Sequence, residues 1–330
     1  MIPTRTLGPD GPTLSALGFG CMGMSEFYGP SDDAESRRVL EAAVEAGIQM
    51  FDTADTYGLG HNERLLAPLI AAHGARICVA TKFGIAREPG QYARSINNQP
   101  DYIRRACDAS RARLGVDTID LYYCHRRDPA VPIETLMETL AALVAKDKVR
   151  AIGLSEVSAD TLRRAAAIHP VAAVQSEYSL WSREPERGLL DACRELGTTL
   201  VAYSPLGRGF LTGTLASTDA LAEDDFRRRS PRFADAAMAH NRRLVAALGD
   251  FAAARGATPA QIALAWLVGK QPNVIPIPGT RKISRLQENL AGAALTLSAT
   301  EIAELDALFD PAAVAGERYP EAGWAGIERT

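Results

Sequence analysis

Residues 48–52 read Ile48-Gln49-Met50-Phe51-Asp52, a short apolar run that ends in a carboxylate. The same arrangement recurs at residues 77–82, where an apolar run ends in Lys82, and at residues 119–125, where one ends in His125. Each run follows a stretch with helical apolar spacing, as expected for buried parallel strands that alternate with helices. In repeated strand–helix units the carboxyl ends of all strands point to one face, so these polar side chains are predicted to meet there.

Eight such runs can be placed along the chain, which is the number that closes a (β/α)8 barrel. We predict strands near residues 19–21, 49–52, 77–82, 119–124, 151–155, 173–177, 199–203 and 274–277. Helices are predicted at 34–46, 63–72, 102–114, 133–145, 159–167, 187–196 and 236–254, with a further one that opens at Thr258-Pro259. The turn-rich segment at 8–12 predicts an N-terminal β-hairpin that plugs the barrel floor. The expected fold class is therefore α/β, a TIM barrel with an N-terminal β-hairpin and additional helices.

Length, composition and net charge predict the number of domains, the cellular location and the kinds of partner. The 330 residues contain no low-complexity linker, so we expect residues 1–330 to form a single barrel domain. Five cysteines without Cys-x-x-Cys spacing, and an N-terminus that lacks the apolar stretch of a signal peptide, favour a cytoplasmic protein. No apolar run approaches the ~20 residues that span a bilayer, so no membrane is expected. A net charge of −4 gives no reason to expect nucleic acid as a partner.

The sequence contains a basic run and two groups of possible metal ligands, and none of them is expected to bind nucleic acid or metal. The basic run at 227–232 is separated by one residue from the acidic residues at 223–225. It lies in an irregular loop at about 207–233, which we interpret as a solvated lid. Neither His61-Asn62-Glu63 nor Cys124-His125 has a second ligand group at a recognised spacing, so no metal is predicted.

Four polar side chains predicted at this face could act together in acid catalysis. They are Asp52, Tyr57, Lys82 and His125. Tyr57 would be the general acid, and the neighbouring Lys82 ammonium is expected to lower its pKa from the ordinary value of about 10. Asp52 would offset the cost of burying the lysine, while His125 would donate a hydrogen bond to the oxygen being protonated. Alone, each residue has a structural explanation, such as a helix cap or a strand end, and only the joint pattern favours catalysis. The predicted partner is a small-molecule carbonyl substrate.

At these residues the chain resembles the aldo-keto reductase family. The similar motifs are 51–58, Thr81-Lys82-Phe83 and 121–125, followed in family order by Gly153-Leu154-Ser155, Gln175, 202–209, 277–281 and 287–289. The resemblance implies an NADPH-dependent reductase of the branch that acts on assorted aldehydes and pyridoxal. One departure is Glu156, where many relatives have asparagine, because a carboxylate cannot donate a hydrogen bond to the nicotinamide carboxamide.

A hydride carrier is needed, since no protein side chain supplies one. Segments 204–209 and 277–281 follow late strands, where this fold commonly binds phosphate, and Arg281 with Lys282 and Arg285 suits the extra phosphate of NADP. We therefore expect NADPH/NADP+ rather than NADH. The glycines at 18–23 formally match Gly-x-Gly-x-x-Gly, but no helix follows, so we expect them only to let backbone approach the nicotinamide. The predicted cofactor contacts are Gly23, Met24, Ser155, Gln175, Tyr203, Ser204, Pro205, Leu206, Arg208, Gly209, Ile277, Gly279, Thr280, Arg281, Gln287 and Asn289.

The resemblance alone implies the individual roles of five of these residues. It implies that Tyr203 stacks on the nicotinamide, that Ser155 and Gln175 bind its carboxamide, and that Gln287 and Asn289 lie near the adenosine. An apolar substrate mouth is expected at Met22, Met24, Phe27, Tyr28, Phe83, Arg126 and Trp181, with Tyr319 and Trp324 of the C-terminal tail closing over it.

Two functions remain open. The first is an NADPH-dependent aldo-keto reductase that converts aldehydes or ketones to alcohols. The alternative is an NADPH-binding, redox-sensing interaction protein that resembles a potassium-channel β-subunit, although no extension precedes the predicted barrel. We expect a monomer or a small homo-oligomer in either case.

Overall fold

The computed structural model describes residues 2–87, 94–219 and 221–329. Met1 of the predicted N-terminus and Ala220 of the predicted lid lie outside the described residues. The described chain begins with an antiparallel hairpin of β1 (Thr4–Thr6) and β2 (Thr13–Ser15). The parallel strands that follow are β3 (Phe19–Gly20), β4 (Met50–Asp52), β5 (Cys78–Phe83), β8 (Ile119–Cys124), β9 (Val149–Ser155), β10 (Ala173–Glu177), β11 (Thr199–Tyr203) and β12 (Val274–Pro276). A second hairpin pairs β6 (Ile85–Arg87) with β7 (Arg94–Ile96).

The eight parallel strands form one curled sheet in the order predicted for the barrel. Its first and last strands meet where the Gly18 N–H donates to the Pro276 carbonyl at 3.0 Å. The predicted (β/α)8 fold is confirmed, and each predicted strand lies within two residues of an observed one.

Ten α-helices occur in the described ranges. They are α1 (Asp33–Glu45), α2 (His61–His73), α3 (Pro100–Leu114), α4 (Ile133–Val144), α5 (Ala159–Ala166), α6 (Leu189–Leu196), α7 (Asp235–Ala254), α8 (Pro259–Lys270), α9 (Ile283–Ala294) and α10 (Ala299–Leu308). The first eight match predicted helices, whereas α9, α10 and the β6–β7 hairpin were not predicted. The loop expected at 207–233 contains three short 3-10 helices, Gly207–Thr212, Phe226–Arg229 and Pro231–Phe233. Among the described helices, none combines the length and the apolar character needed to cross a membrane.

The N-terminal hairpin closes the lower end of the barrel, as predicted. Leu7 and Leu14 are buried in an interior cluster formed by alternate residues of the strands. The Gly8 N–H also donates to the Thr199 hydroxyl at 2.9 Å, at the amino end of β11. The hairpin therefore leaves only the opposite end of the barrel open for a site.

Strand alternation positions the polar residues at that opposite end. Successive side chains on a strand point to opposite faces, and Met50, Ala80 and Ala173 belong to the interior cluster. Two residues further along their strands, Asp52, Lys82 and Gln175 share the same inward face. Three strands thus deliver three polar side chains to one point on the barrel axis.

Candidate active site

A buried ion pair lies at this point of the barrel. The Lys82 ammonium is fully buried, is bonded to Asp52 and donates to the Thr53 carbonyl at 2.8 Å. Gln175 donates to the other Asp52 oxygen at 2.7 Å. Burial lowers the pKa of Lys82 and raises that of Asp52, while the attraction between the two charges opposes both changes. The amide of Gln175 therefore helps to keep the carboxylate charged.

Tyr57 and His125 complete a group of four side chains, as the sequence predicts. The Tyr57 hydroxyl lies 3.4 Å from the Lys82 ammonium, and only 7 % of the tyrosine is exposed. The His125 ring meets the Tyr57 ring edge-on, with 5.7 Å between the ring centres. A phenol, a cation with its counterion and an imidazole therefore surround one small volume.

The ionisation of Tyr57 differs from the expectation. Burial raises the pKa of Tyr57 well above its ordinary value, and Asp52 raises it further, while Arg126 acts in the opposite direction. This direction is opposite to the predicted lowering by Lys82, because burial and the Asp52 charge outweigh the opposing effect of Arg126. The phenol is thus neutral at physiological pH, which is the form that can donate a proton.

Arg126 and the C-terminal tail lie directly beside this group. Arg126 is buried and donates to the His125 carbonyl at 2.7 Å and to the Ser155 hydroxyl at 3.2 Å. The hydroxyls of Tyr203 and Tyr319 are 3.0 Å apart, which brings the tail to the predicted nicotinamide-stacking residue. The prediction that Tyr319 closes over the site agrees with this contact.

Glu156 is turned toward the tail and not toward the barrel axis. Its φ of 56° is unusual for a residue other than glycine, and its carboxylate accepts from the Glu177 N–H at 2.9 Å and from Arg318 at 2.9 Å. Burial opposes ionisation, but Arg318 and Arg126 bring the pKa of Glu156 below its ordinary value. Sequence reasoning missed Arg318; the unusual Glu156 was a signal that a cation had to lie nearby.

Arg208 has a different environment from the one predicted. Its guanidinium donates to Glu177 at 2.9 Å, to the Arg318 carbonyl at 2.9 Å and to the Ser230 hydroxyl at 3.2 Å. These contacts join the 207–233 segment to the tail, so the predicted pyrophosphate contact of the Arg208 side chain is not what this structure presents.

The other predicted phosphate segment has features that suit an anion. Helix α9 begins at Ile283 without a side-chain cap and without acidic residues in its first turn. Such a helix end carries unpaired amide donors and a positive partial charge. Lys282 precedes it and Arg285 lies in its first turn. Among the residues implied by the resemblance, Gln287 is exposed on this helix, whereas Asn289 is buried.

The loops after the first and last strands are tied together across the barrel mouth. Arg281 donates to the carbonyls of Tyr28 at 2.9 Å and Gly29 at 3.3 Å. An added Cβ on Gly20 would lie 2.7 Å from the Ile277 carbonyl oxygen, so this close approach requires glycine. Arg281 thus ties the segment after the last strand to the loop after the first strand.

The segment at 204–209 has an unusual backbone. Positive φ angles occur at Ser204 (50°), Gly207 (56°), Arg208 (57°) and Gly209 (90°). Backbone of this kind can turn successive N–H groups toward one point and form an anion-binding concavity. Pro205 is buried and Leu206 packs against the hydrophobic core.

Three side chains that were predicted to line the substrate mouth pack in the hydrophobic core. Phe83 faces the helices and packs on Tyr122, with 4.9 Å between ring centres, because it follows the inward-facing Lys82 by one residue. Met24 is likewise buried in the core between sheet and helices, and Trp181 stacks on Phe210 at 4.6 Å. The core positions of Phe83 and Met24 contradict their predicted place in the substrate mouth, whereas the place of Trp181 stays a prediction.

A cavity of about 330 Å³ lies away from the group of four. Trp181, Arg318 and Trp324 are among its lining residues, and none of the four site residues is. It therefore does not mark the reaction centre.

Comparison with known proteins gives matches that extend over most of the chain. A model of the aldo/keto reductase family matches residues 16–310. The chain is 46 % identical over 324 residues to the aldo-keto reductase yakc [NADP(+)] of Schizosaccharomyces pombe, covering 97 % of this chain and 95 % of that protein.

Two solved structures are similar in fold. A glycerol dehydrogenase from Gluconobacter oxydans is 27 % identical with a TM-score of 0.84, covering 93 % of this chain and 96 % of that one. An aldo/keto reductase from Klebsiella pneumoniae in complex with NADP and acetate is 26 % identical with a TM-score of 0.72, covering 96 % of this chain and 98 % of the other.

Proposed function

This chain belongs to the aldo/keto reductase family, and we propose that it is an NADPH-dependent reductase that converts aldehydes or ketones to alcohols. The observation that carries the proposal is the buried Tyr57 phenol, 3.4 Å from the Lys82 ammonium and edge-on to His125. A carbonyl oxygen placed between the tyrosine and the histidine would meet a proton donor on one side and an imidazole on the other.

Each residue of the group has a distinct part in the proposed reaction. Tyr57 gives its proton to the carbonyl oxygen, and the nearby Lys82 charge stabilises the phenolate that is left behind. Asp52, held by Gln175, keeps that charge in place in a buried site. His125 donates a hydrogen bond that orients the carbonyl and stabilises its developing negative charge.

The cofactor assignment rests on the residues at the barrel mouth and on the relatives. The uncapped start of α9 beside Lys282 and Arg285 fits the extra phosphate of NADP, and the backbone at 204–209 fits a pyrophosphate. When bound, NADPH supplies the hydride that no side chain can provide. The name of the yeast relative specifies NADP(+), and the Klebsiella protein was solved with NADP.

The test is NADPH consumption with a panel of an activated aromatic aldehyde, methylglyoxal and pyridoxal. Tyr57→Phe removes only the hydroxyl and is expected to lower kcat by about 10²- to 10⁴-fold. NADPH binding, followed by its fluorescence, is expected to stay within a few-fold of wild type. If Tyr57→Phe kept most of the activity, Tyr57 would not be the acid.

The same experiment addresses the redox-sensing alternative. Tight NADPH binding without turnover of any aldehyde would favour that function. No contact in the described chain favours it, so the reductase is preferred.

A further inference from the structure

Of three arginines near the barrel mouth, two form ion pairs with carboxylates of the described chain and one does not. Arg318 pairs with Glu156 at 2.9 Å, and Arg208 pairs with Glu177 at 2.9 Å. Both ion pairs are almost fully buried. Arg126 lies in the same region but is not part of either pair.

Among the described residues, Arg126 lacks the contacting carboxylate that other buried arginines have. In the described part of the chain, Arg183, Arg232 and Arg318 are each buried and each lies within 4.0 Å of a carboxylate. Arg126 is only 6 % exposed, and no described carboxylate lies within 4.0 Å of it. The charge of Glu156 acts on Arg126 without direct contact between the two side chains, so a bound anion would supply the contacting carboxylate that the described residues do not.

One edge of the Arg126 guanidinium makes no hydrogen bond to the described residues. Both hydrogen bonds that the described structure gives to its head group leave from Nη1. The buried Nε has no hydrogen-bond partner among the described residues. A carboxylate is the anion that a planar guanidinium edge binds best, through two parallel N–H donors.

The Arg126 guanidinium lies next to the residues that would bind the reacting carbonyl. Arg126 follows His125 directly. The groups near enough to interact with its charge are Tyr203, Tyr319, Glu156 and Tyr57. The tail holds its stem in place, since an added Cβ on Gly326 would lie 2.8 Å from the Arg126 Cβ. The cation is therefore fixed beside the group that would receive the carbonyl.

We propose that Arg126 binds a carboxylate of the substrate, so that the favoured substrates are aldehydes or ketones with a carboxylate within a few bonds of the carbonyl. This inference rests on the proposed reductase function and adds a substrate class to it. Binding to an uncharged group, such as a carboxamide, would leave the arginine without an anion in direct contact.

The experiment compares 4-oxobutanoate with its methyl ester, which has the same aldehyde but no charge. Wild type is expected to have the higher kcat/KM for the acid. Arg126→Met is expected to lower kcat/KM for the acid by about 30-fold or more, with little change for the ester, because a buried charge pair loses one partner. Arg126→Lys should recover part of the loss. Arg150→Met, which removes an arginine paired with Asp120 at the far end of the barrel, is the matched control and should change neither value.

Several outcomes would overturn the inference. An equal loss for acid and ester in Arg126→Met, or a matching loss of NADPH affinity, would assign Arg126 a structural or cofactor-binding role. A wild-type preference for the ester would overturn it without any variant, which covers the case in which Arg126→Met does not fold. Turnover of the ester without preference for the acid contradicts only this inference, whereas absence of turnover with every aldehyde contradicts the proposed function as well.

Discussion

Glu156 at the end of β9 and Arg318 in the C-terminal tail form a buried ion pair with a 2.9 Å contact. The two residues are 162 positions apart in the sequence. The pair fixes the tail against the barrel mouth, where Tyr319 meets Tyr203. The buried Glu156 carboxylate is therefore matched by an arginine from the tail.

Arg318→Met is expected to lower the free energy of unfolding by about 3–5 kcal/mol, because it leaves Glu156 buried without its cation. Urea unfolding measures the loss, and limited proteolysis should show faster cleavage of the tail. Arg329→Met is the control within the tail: its partner Glu321 is exposed, so the change should stay within about 1 kcal/mol. Equal effects of the two variants would show that the buried pair does not hold the tail.

A single and a double variant of the Lys82–Asp52 pair separate its contribution to activity from its contribution to stability. The single variant Lys82→Met is expected to lose both activity and about 3–5 kcal/mol of stability, because Asp52 keeps a buried charge without a counterion. The double variant Asp52→Asn/Lys82→Met should recover most of the stability but none of the activity. Urea unfolding and steady-state kinetics on the same samples provide the comparison. Recovery of activity in the double variant would mean that the cation is not needed for proton transfer.

The pH dependence of stability is predicted to include a contribution from Asp55. Burial, aided by the nearby Glu63 charge, raises the pKa of Asp55 to about 8 in the folded protein, against about 4 in an unfolded chain. Between these values the folded state retains a proton that the unfolded state releases. The stabilisation is therefore complete below about pH 4 and is lost as the pH rises to about 8.

Asp55→Asn removes this titration with little change in shape. Relative to wild type, the variant should become progressively more stable between pH 5 and pH 8, and the difference should level off above that. Urea unfolding at matched ionic strength across this range gives the curve. A constant difference at all pH values would contradict the raised pKa.

The sequence predicts the barrel well because its signals are local. The apolar runs and their period of two place Asp52 and Lys82 on one face without any knowledge of tertiary contacts. Helix α10 was missed although Ser298 and Glu301 form a capping box at its start, a signal that local reasoning can use. The β6–β7 hairpin has strands of three residues, which are too short for an alternation pattern to be recognised.

The sequence does not predict which groups the arginine side chains bind. Arg208 and Arg281 have the residue type and position expected of phosphate ligands, yet they bind Glu177 and backbone carbonyls. These contacts depend on loops and a tail that the pattern of strands does not place. The catalytic and cofactor roles of the individual residues, the single-domain organisation and the oligomeric state stay predictions.

The close approach of the first and last strands offers a test of the cofactor cradle. An added Cβ on Gly279 would clash with the backbone oxygen of Gly20, which cannot move as a side chain can. Gly279→Ala is therefore expected to separate the two loops at a cost of roughly 1–3 kcal/mol and to raise KM for NADPH more than it lowers kcat. Gly249→Ala in α7 is the control, since no atom lies within 4 Å of its added Cβ, and it should leave KM unchanged. An unchanged KM for NADPH in a folded Gly279→Ala variant would place the cofactor away from this loop.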